Sequence, residues 1–299
     1  MLSVIGYIKY SLNFNFISSR KHNKDFLYFY IMSVTFSTCW YIFKAKFDTS
    51  TYLQWIDNML SNVNQYNLVI YSDEQSSQCL EKYLHNPRIK LILKPYTEFY
   101  NYKYHESWIK NHDNNEELKE YVDWKVNMLW SEKVHFVHET MTNEYFKTDY
   151  YGWCDIGYFR CREFQDLPIE LLAHWPAAEK IQTLLPTKIY YACINNNKEY
   201  IRELMMNIQD KSFCGLPIPP IQENQISIAG GFFITHKQNV EWWRNTYDEK
   251  LKLYFEYDYL VKDDQIIIAD CVFSNMKYFY LCKEDLHFDN WFLFQRFLL

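Results

Sequence analysis

The chain alternates between two apolar periods. Leu53, Ile56, Leu60 and Val63 recur at three- and four-residue spacing and predict a helix over 50–64, with one face turned to a core. The run 67–71 is continuously apolar and stops at Ser72-Asp73, which reads as a strand ended by turn-forming residues. Before it, Val34, Thr35 and Phe36 open a strand-like run that leads into an aromatic, lysine-bearing stretch through 47. The same alternation continues with a helix over 75–84, a strand over 88–93, a longer helix over 118–139 carrying Val122, Val126 and Leu129, and a strand over 152–155. Further on, strands are predicted over 188–194, 226–235 and 278–282, and helices over 198–209, 238–257 and 264–273. Strands alternating with helices predict an α/β fold with a mostly parallel sheet covered on both faces.

No repeat, Gly/Ser linker or charge run divides this pattern, so 32–299 reads as one domain. Residues 1–31 stand apart as an N-terminal extension, because Met32 immediately precedes the first strong strand. The segment 1–16 is broken by Lys9, Asn13 and Asn15, too short and polar for a spanning helix, and has no small-residue cleavage site. Two stretches lack a clear period: 96–115, rich in Tyr, Asn and His, and 210–224, with Gly215, Pro217, Pro219 and Pro220. Long loops in a compact domain are mobile or functional, and either stretch is a candidate cover for an acceptor site.

Composition narrows the function classes. With 31 Lys and Arg against 37 Asp and Glu, the net charge of −6 argues against a nucleic-acid partner. Eight cysteines with no CxxC pair read as small buried hydrophobes in a reducing, cytoplasmic compartment. Walker A, GxGxxG, HExxH and GxSxG motifs are absent, which removes the corresponding ATPase, dehydrogenase, zinc-protease and serine-hydrolase readings. His135 and His138, three apart on the long helix, have no third metal ligand nearby in sequence and read as a polar helix face.

In open α/β sheets ligands bind beyond the carboxyl ends of strands, which singles out three segments. Trp153-Cys154-Asp155-Ile156-Gly157 ends a strand in a carboxylate and a glycine; Asp155 is either a metal-binding carboxylate or an ordinary turn residue. Ala229-Gly230-Gly231 places adjacent glycines in a β-rich run of a chain with only six glycines, signalling either close approach by a ligand or backbone, or a β-bulge. Asp263-Asp264-Gln265 opens an apolar helix: both acids cap it, or one caps while Asp264 and Gln265 face a sugar hydroxyl, with Asp264 as a base or electrostatic partner.

Taken in order, Val-Thr-Phe at 34, Ile-Tyr-Ser-Asp at 70, Leu-Trp-Ser-Glu-Lys at 129, Trp-Cys-Asp-Ile-Gly-Tyr-Phe-Arg at 153, Ala-Gly-Gly-Phe-Phe-Ile at 229 and Asp-Asp-Gln-Ile at 263 resemble the bacterial HtrL/YibB family of glycosyltransferases. The resemblance runs from about 34 to 290, nearly the whole chain. It implies a GT-A-like single domain that moves a sugar from a nucleoside-diphosphate donor, UDP by analogy, to a glycan or other acceptor. It also implies site roles. Thr35, Phe36, Tyr41 and Lys44 would surround the base and ribose with Ser72 and Asp73 beside them, and Lys133 would approach the diphosphate. Trp153, Gly157, Gly230, Gly231 and Asp263 would bind sugar or acceptor, and Asp264 and Gln265 would be catalytic. Asp155 and His287 would hold Mn2+ or Mg2+.

Two departures bear on the metal. The second acid of an Asp-x-Asp pair is Gly157 here, and His287 lacks the Gly and Lys that follow it in glycogenin-like enzymes. Without a metal, Lys133, Arg160 or Arg162 are the cations left to meet a diphosphate. Two other function classes stay open on sequence alone: a non-catalytic nucleotide-sugar or carbohydrate binder with the same fold, and an interaction module built on exposed aromatics.

Overall fold

In a computed structural model, residues 33–284 and 288–299 are described. The expected extension 1–31 and His287 lie outside them. The strands are β1 Val34–Trp40, β2 Asn67–Ser72, β3 Ile89–Leu93, β4 Tyr150–Cys154, β5 Ile189–Ala192, β6 Phe232–His236 and β7 Phe279–Cys282. The helices are α1 Thr49–Leu60, α2 His105–Asp113, α3 Trp124–Thr142, α4 Ile169–Leu172, α5 Ala178–Thr183, α6 Lys198–Gln209, α7 Val240–Glu256, α8 Asp264–Ser274 and α9 Leu293–Phe297. The strands form one seven-stranded sheet in the order β3-β2-β1-β4-β6-β5-β7. All neighbours are parallel except β6, which runs antiparallel to both β4 and β5. This is the α/β arrangement expected from the sequence, a mixed and mostly parallel sheet flanked by helices.

Side chains alternate across a strand, so each strand feeds two cores. On one face Val69, Tyr71, Tyr151, Trp153, Ile189, Tyr191 and Phe233 pack with α3, α6, α7 and α8. On the other, Phe36, Leu68, Ile70, Tyr150, Tyr190, Phe232 and Ile234 pack with α1, α9 and Trp175. Two polar residues of the wholly buried β1, Thr35 and Ser37, are paired across the layer, while the Thr38 hydroxyl and the Trp40 indole N–H have no hydrogen-bond partner among the described residues. Ser37 Oγ donates to Thr140 Oγ1 of α3 at 2.8 Å, and Thr148 Oγ1 donates to Thr35 Oγ1 at 3.0 Å, which removes most of the cost of burying them.

Three expectations need correction. Leu53 was placed on the buried face of the first helix, yet it is 41% exposed while Ile56, Leu60 and Val63 are buried. The predicted strand over 226–235 is shortened to Phe232–His236; the residues before it keep only isolated bonds at the ends of the flanking strands, Ala229 N–H donating to Ala192 O and Asp155 N–H to Gly231 O. Most of the stretch 96–115 is helical, and it is pinned by contacts distant in sequence. Glu132 accepts from the backbone of Tyr100 at 2.6 Å and of Asn101 at 3.0 Å, and Trp108 is fully buried against Phe255. Asn111 exchanges two 2.8 Å hydrogen bonds with the backbone of Val261, and Asn115 Nδ2 donates to Lys262 O. This segment braces the backbone that leads into Asp263 and α8. Among the described residues no helix is long and apolar enough to cross a membrane.

Candidate functional site

Because β6 runs against β1 and β4, the carboxyl ends of β1 and β4 and the amino end of β6 lie at one edge of the sheet. The segments leaving them, 41–47, 155–160 and 229–231, therefore share a cleft with the amino end of α8. The cleft has two compartments with a common border of Phe47, Tyr52, Trp130, Lys133, Asp155, Gly157 and Arg160. The first, of about 140 Å³, is mostly aromatic and aliphatic, walled by Cys39 to Phe43, Val126 and Leu129. The second, of about 220 Å³, holds the charged groups and is walled by Lys46, Gly230, Gly231, Asp263, Asp264, Gln265, Trp291 and Phe292.

Lys133 organises the border. Val126, Trp130 and Lys133 fall on the cleft face of α3 at helical spacing. The Lys133 ammonium is 3.2 Å from Asp155 Oδ1, 3.0 Å from Asp264 Oδ2, and donates to Gly230 O at 2.9 Å. Burial by itself lowers a lysine, but Asp155 and then Asp264 outweigh it and hold Lys133 well above its ordinary range. Asp155 Oδ1 also accepts from Trp153 Nε1 at 2.6 Å, while its side chain stays 41% exposed to the cleft. Burial, opposed by Lys133 and reinforced by Asp263, pushes the Asp264 carboxyl up to about 7. One buried cation is thus shared by an open carboxylate and a closed one.

The acidic pair divides its labour. Asp263 caps α8, its Oδ1 accepting from Gln265 N–H at 3.1 Å, and Asp264 turns to Lys133. The structure adds a further reason for the paired glycines. A Cβ on Gly230 would lie 2.7 Å from Asp264 Oδ2, and one on Gly231 would lie 3.1 Å from Asp155 Oδ2. The site's own carboxylates crowd the backbone, so a methyl group fits at either position only if a carboxylate shifts.

The structure brings together Tyr41, Lys133, Trp153, Asp155, Gly157, Gly230, Gly231, Asp263, Asp264 and Gln265 in the two compartments. It does not bring the other expected residues to the cleft lining. Thr35 and Phe36 lie early in β1, where Thr35 bonds Thr148 and Phe36 packs against Tyr66, Trp175 and Phe232. Cys39, Trp40 and Tyr41 at the far end of the strand reach the cleft instead. Lys44 donates to Glu120 O at 2.7 Å and ties down its loop. Ser72 Oγ donates to Trp40 O at 2.6 Å, and Asp73 Oδ1 accepts from Ser76 N–H at 2.7 Å; both shape the floor behind the cleft. Trp153 is core, with only its indole N–H reaching the site.

Several lining residues escaped the sequence reading. Trp130 stands three residues before Lys133 on one helix, a spacing that could have revealed it. Phe47, Tyr52, Trp291 and Phe292 arrive from the first loop, α1 and the C-terminal segment, and no local pattern marks them.

The described residues offer no preformed cage for a divalent ion, and His287, the second expected ligand, lies outside them. Among them no group of three or more His, Cys, Asp or Glu is placed to hold one. The place where a second acid would stand after Asp155 is closed, since a Cβ on Gly157 would lie 2.7 Å from the Trp55 ring. The two carboxylates nearest each other are already bridged by the Lys133 ammonium.

No family model matches the sequence, and no curated protein matches it. Among solved structures, the apo form of mouse xyloside xylosyltransferase 1 is similar at 14% identity, covering 84% of this chain and 85% of that chain with a TM-score of 0.43. Similarity at that level carries no functional information for this chain.

Proposed function

We propose that this chain is a glycosyltransferase that takes a nucleoside-diphosphate sugar, UDP-linked donors being the first to test, and passes the sugar to a glycan or other acceptor. The observation that carries the proposal is the cation-lined border between an aromatic compartment and an acidic one. A nucleobase suits the first, where rings and aliphatic side chains stand beside the polar groups of the border. A sugar suits the second, where Asp264 and Gln265 offer hydrogen-bonding groups beside the charged border. The diphosphate would then lie at Lys133 and Arg160, where departing charge is met by positive groups. In the transfer, the bond from the sugar's anomeric carbon to the donor oxygen breaks with its electrons going to the diphosphate. The acceptor oxygen bonds to that carbon and gives up its proton. Asp264, raised to about 7, is suited to hold or take a proton near neutral pH.

A second reading, a nucleotide-sugar binder without transfer, is favoured by Gly157, which leaves Asp155 without the second acid of an Asp-x-Asp pair. One experiment separates the two. Thermal-shift screening of nucleotide sugars should find a donor that raises the melting temperature, and slow hydrolysis of that donor should be lost in Asp264→Asn. Binding without hydrolysis selects the binder. Full hydrolysis by a folded Asp264→Asn removes Asp264 from the chemistry, and stabilisation by no nucleotide sugar removes the proposal.

A further inference from the structure

We propose that this site meets its donor's diphosphate with a side chain of its own, the Arg160 guanidinium, while the Lys133 ammonium occupies the place of a metal ion between Asp155 and Asp264, so that nucleoside diphosphate binds without a divalent ion. The inference deepens the glycosyltransferase reading and rests on it. Asp155 and Asp264, the carboxylates from which a metal site would be built, both face Lys133. An ammonium held at 3.2 and 3.0 Å between two carboxylates stands where a cation would bridge them. Loss of the second acid is not repaired from elsewhere among the described residues, because the Trp55 ring fills the space beside Gly157.

Arg160 supplies what a phosphate needs. Its Nε donates to Gly157 O at 3.3 Å, which aims the guanidinium along the border between the compartments. The group lies 4.2 Å from the Trp55 ring centre, 4.9 Å from Phe292 and 5.2 Å from Phe47. Aromatic faces hold a guanidinium by its flat sides and leave its edge for bidentate hydrogen bonding to an oxyanion. Among the described residues Arg160 has no carboxylate within ion-pair distance. Arg162, two positions on, is instead consumed by Asp166 and Asp289, each at 2.9 Å. A cation held in a cleft by rings and one backbone carbonyl, with no carboxylate paired to it, is arranged for an incoming anion. The aromatic wall then sets which part of the ligand goes where, with the base on one side of Arg160 and the sugar on the other.

The test is calorimetry on the full chain with UDP, GDP, CDP and ADP and their parent nucleosides, first in EDTA and then with excess Mn2+. The best-bound diphosphate should show the same affinity in both conditions. Arg160→Gln should weaken that diphosphate by roughly tenfold or more while changing the nucleoside little, and Arg160→Lys should recover part of the loss. Binding that needs Mn2+, or an equal loss of diphosphate and nucleoside in Arg160→Gln, overturns the inference. Failure of this kind leaves donor hydrolysis intact with metal present. Failure of the transferase reading removes nucleotide binding and hydrolysis in both conditions, and takes this inference with it.

Discussion

Two buried charge networks in this molecule are near mirror images. In the cleft one lysine, Lys133, is shared by two carboxylates. Behind it, on α8, one carboxylate, Asp270, is shared by two lysines, Lys211 and Lys250. Asp270 is fully buried and takes further hydrogen bonds from Tyr254 at 3.1 Å and Ser274 at 2.9 Å, so its acceptors are used up. It lines neither compartment of the cleft. Lys133 has a partner, Asp155, that opens onto a cavity, and a neighbour, Arg160, with no carboxylate of its own among the described residues. Buried ion pairs therefore do not by themselves mark a site. An unfinished network facing a cavity does, because only there can a ligand add to it.

The contrast can be broken most forcefully at Lys133. Lys133→Met leaves Asp264 buried without its cation, and chemical denaturation should show a loss of about 3–5 kcal/mol. Asp264 should also bind its proton more tightly, which carboxyl-region infrared or NMR titration would detect. Asp270→Asn is the matching cut in the other network. Its two lysines keep side-chain exposures of 23% and 14% and can turn partly to water, so the loss should be smaller, about 1–3 kcal/mol. Nucleotide affinity of the folded variant should be unchanged. If Asp270→Asn abolishes binding while stability holds, the distinction between a structural and a ligand-facing network is wrong.

Gly230→Ala tests whether the paired glycines serve the carboxylates. The added methyl must push Asp264 off Lys133, at a cost of about 1–3 kcal/mol. Gly231→Ala should cost less, since Asp155 is exposed enough to swing away. Equal costs in the two variants would show that backbone strain rather than the carboxylates governs both.

The Asp264 carboxyl also sets a pH dependence. Asp264 is raised from an ordinary value of 3.8 to about 7, so between those values the folded chain keeps a proton that the unfolded chain has released. That contribution to stability is complete below about pH 4 and fades as pH rises toward about 7. Urea midpoints across this range should fall less steeply in Asp264→Asn than in the parent chain. A parallel slope would mean that Asp264 is ionised throughout.

Periodicity was enough to place most of the elements, because apolar spacing is a local property of the chain. Helix α6 was expected over the residues it occupies, and β2, β3 and α8 differ by a residue or so. The three segments of the cleft were legible for the same reason: a carboxylate at a strand end, adjacent glycines and an acidic helix start are visible in a few residues. The stretch 96–115 was not, since its order comes from Glu132, Phe255 and Val261, far along the chain.

The sequence by itself determined the α/β alternation, the two-faced strands and the identity of the acids and glycines at the cleft. Only the tertiary structure decided that Asp155 and Asp264, more than a hundred residues apart, share Lys133. It also decided that Trp55 closes the space beside Gly157 and that Arg160 rather than Arg162 faces the cavity. Local patterns record which face of an element is apolar. Which charge meets which depends on strand order and on the reversal of β6, and no single segment contains that information.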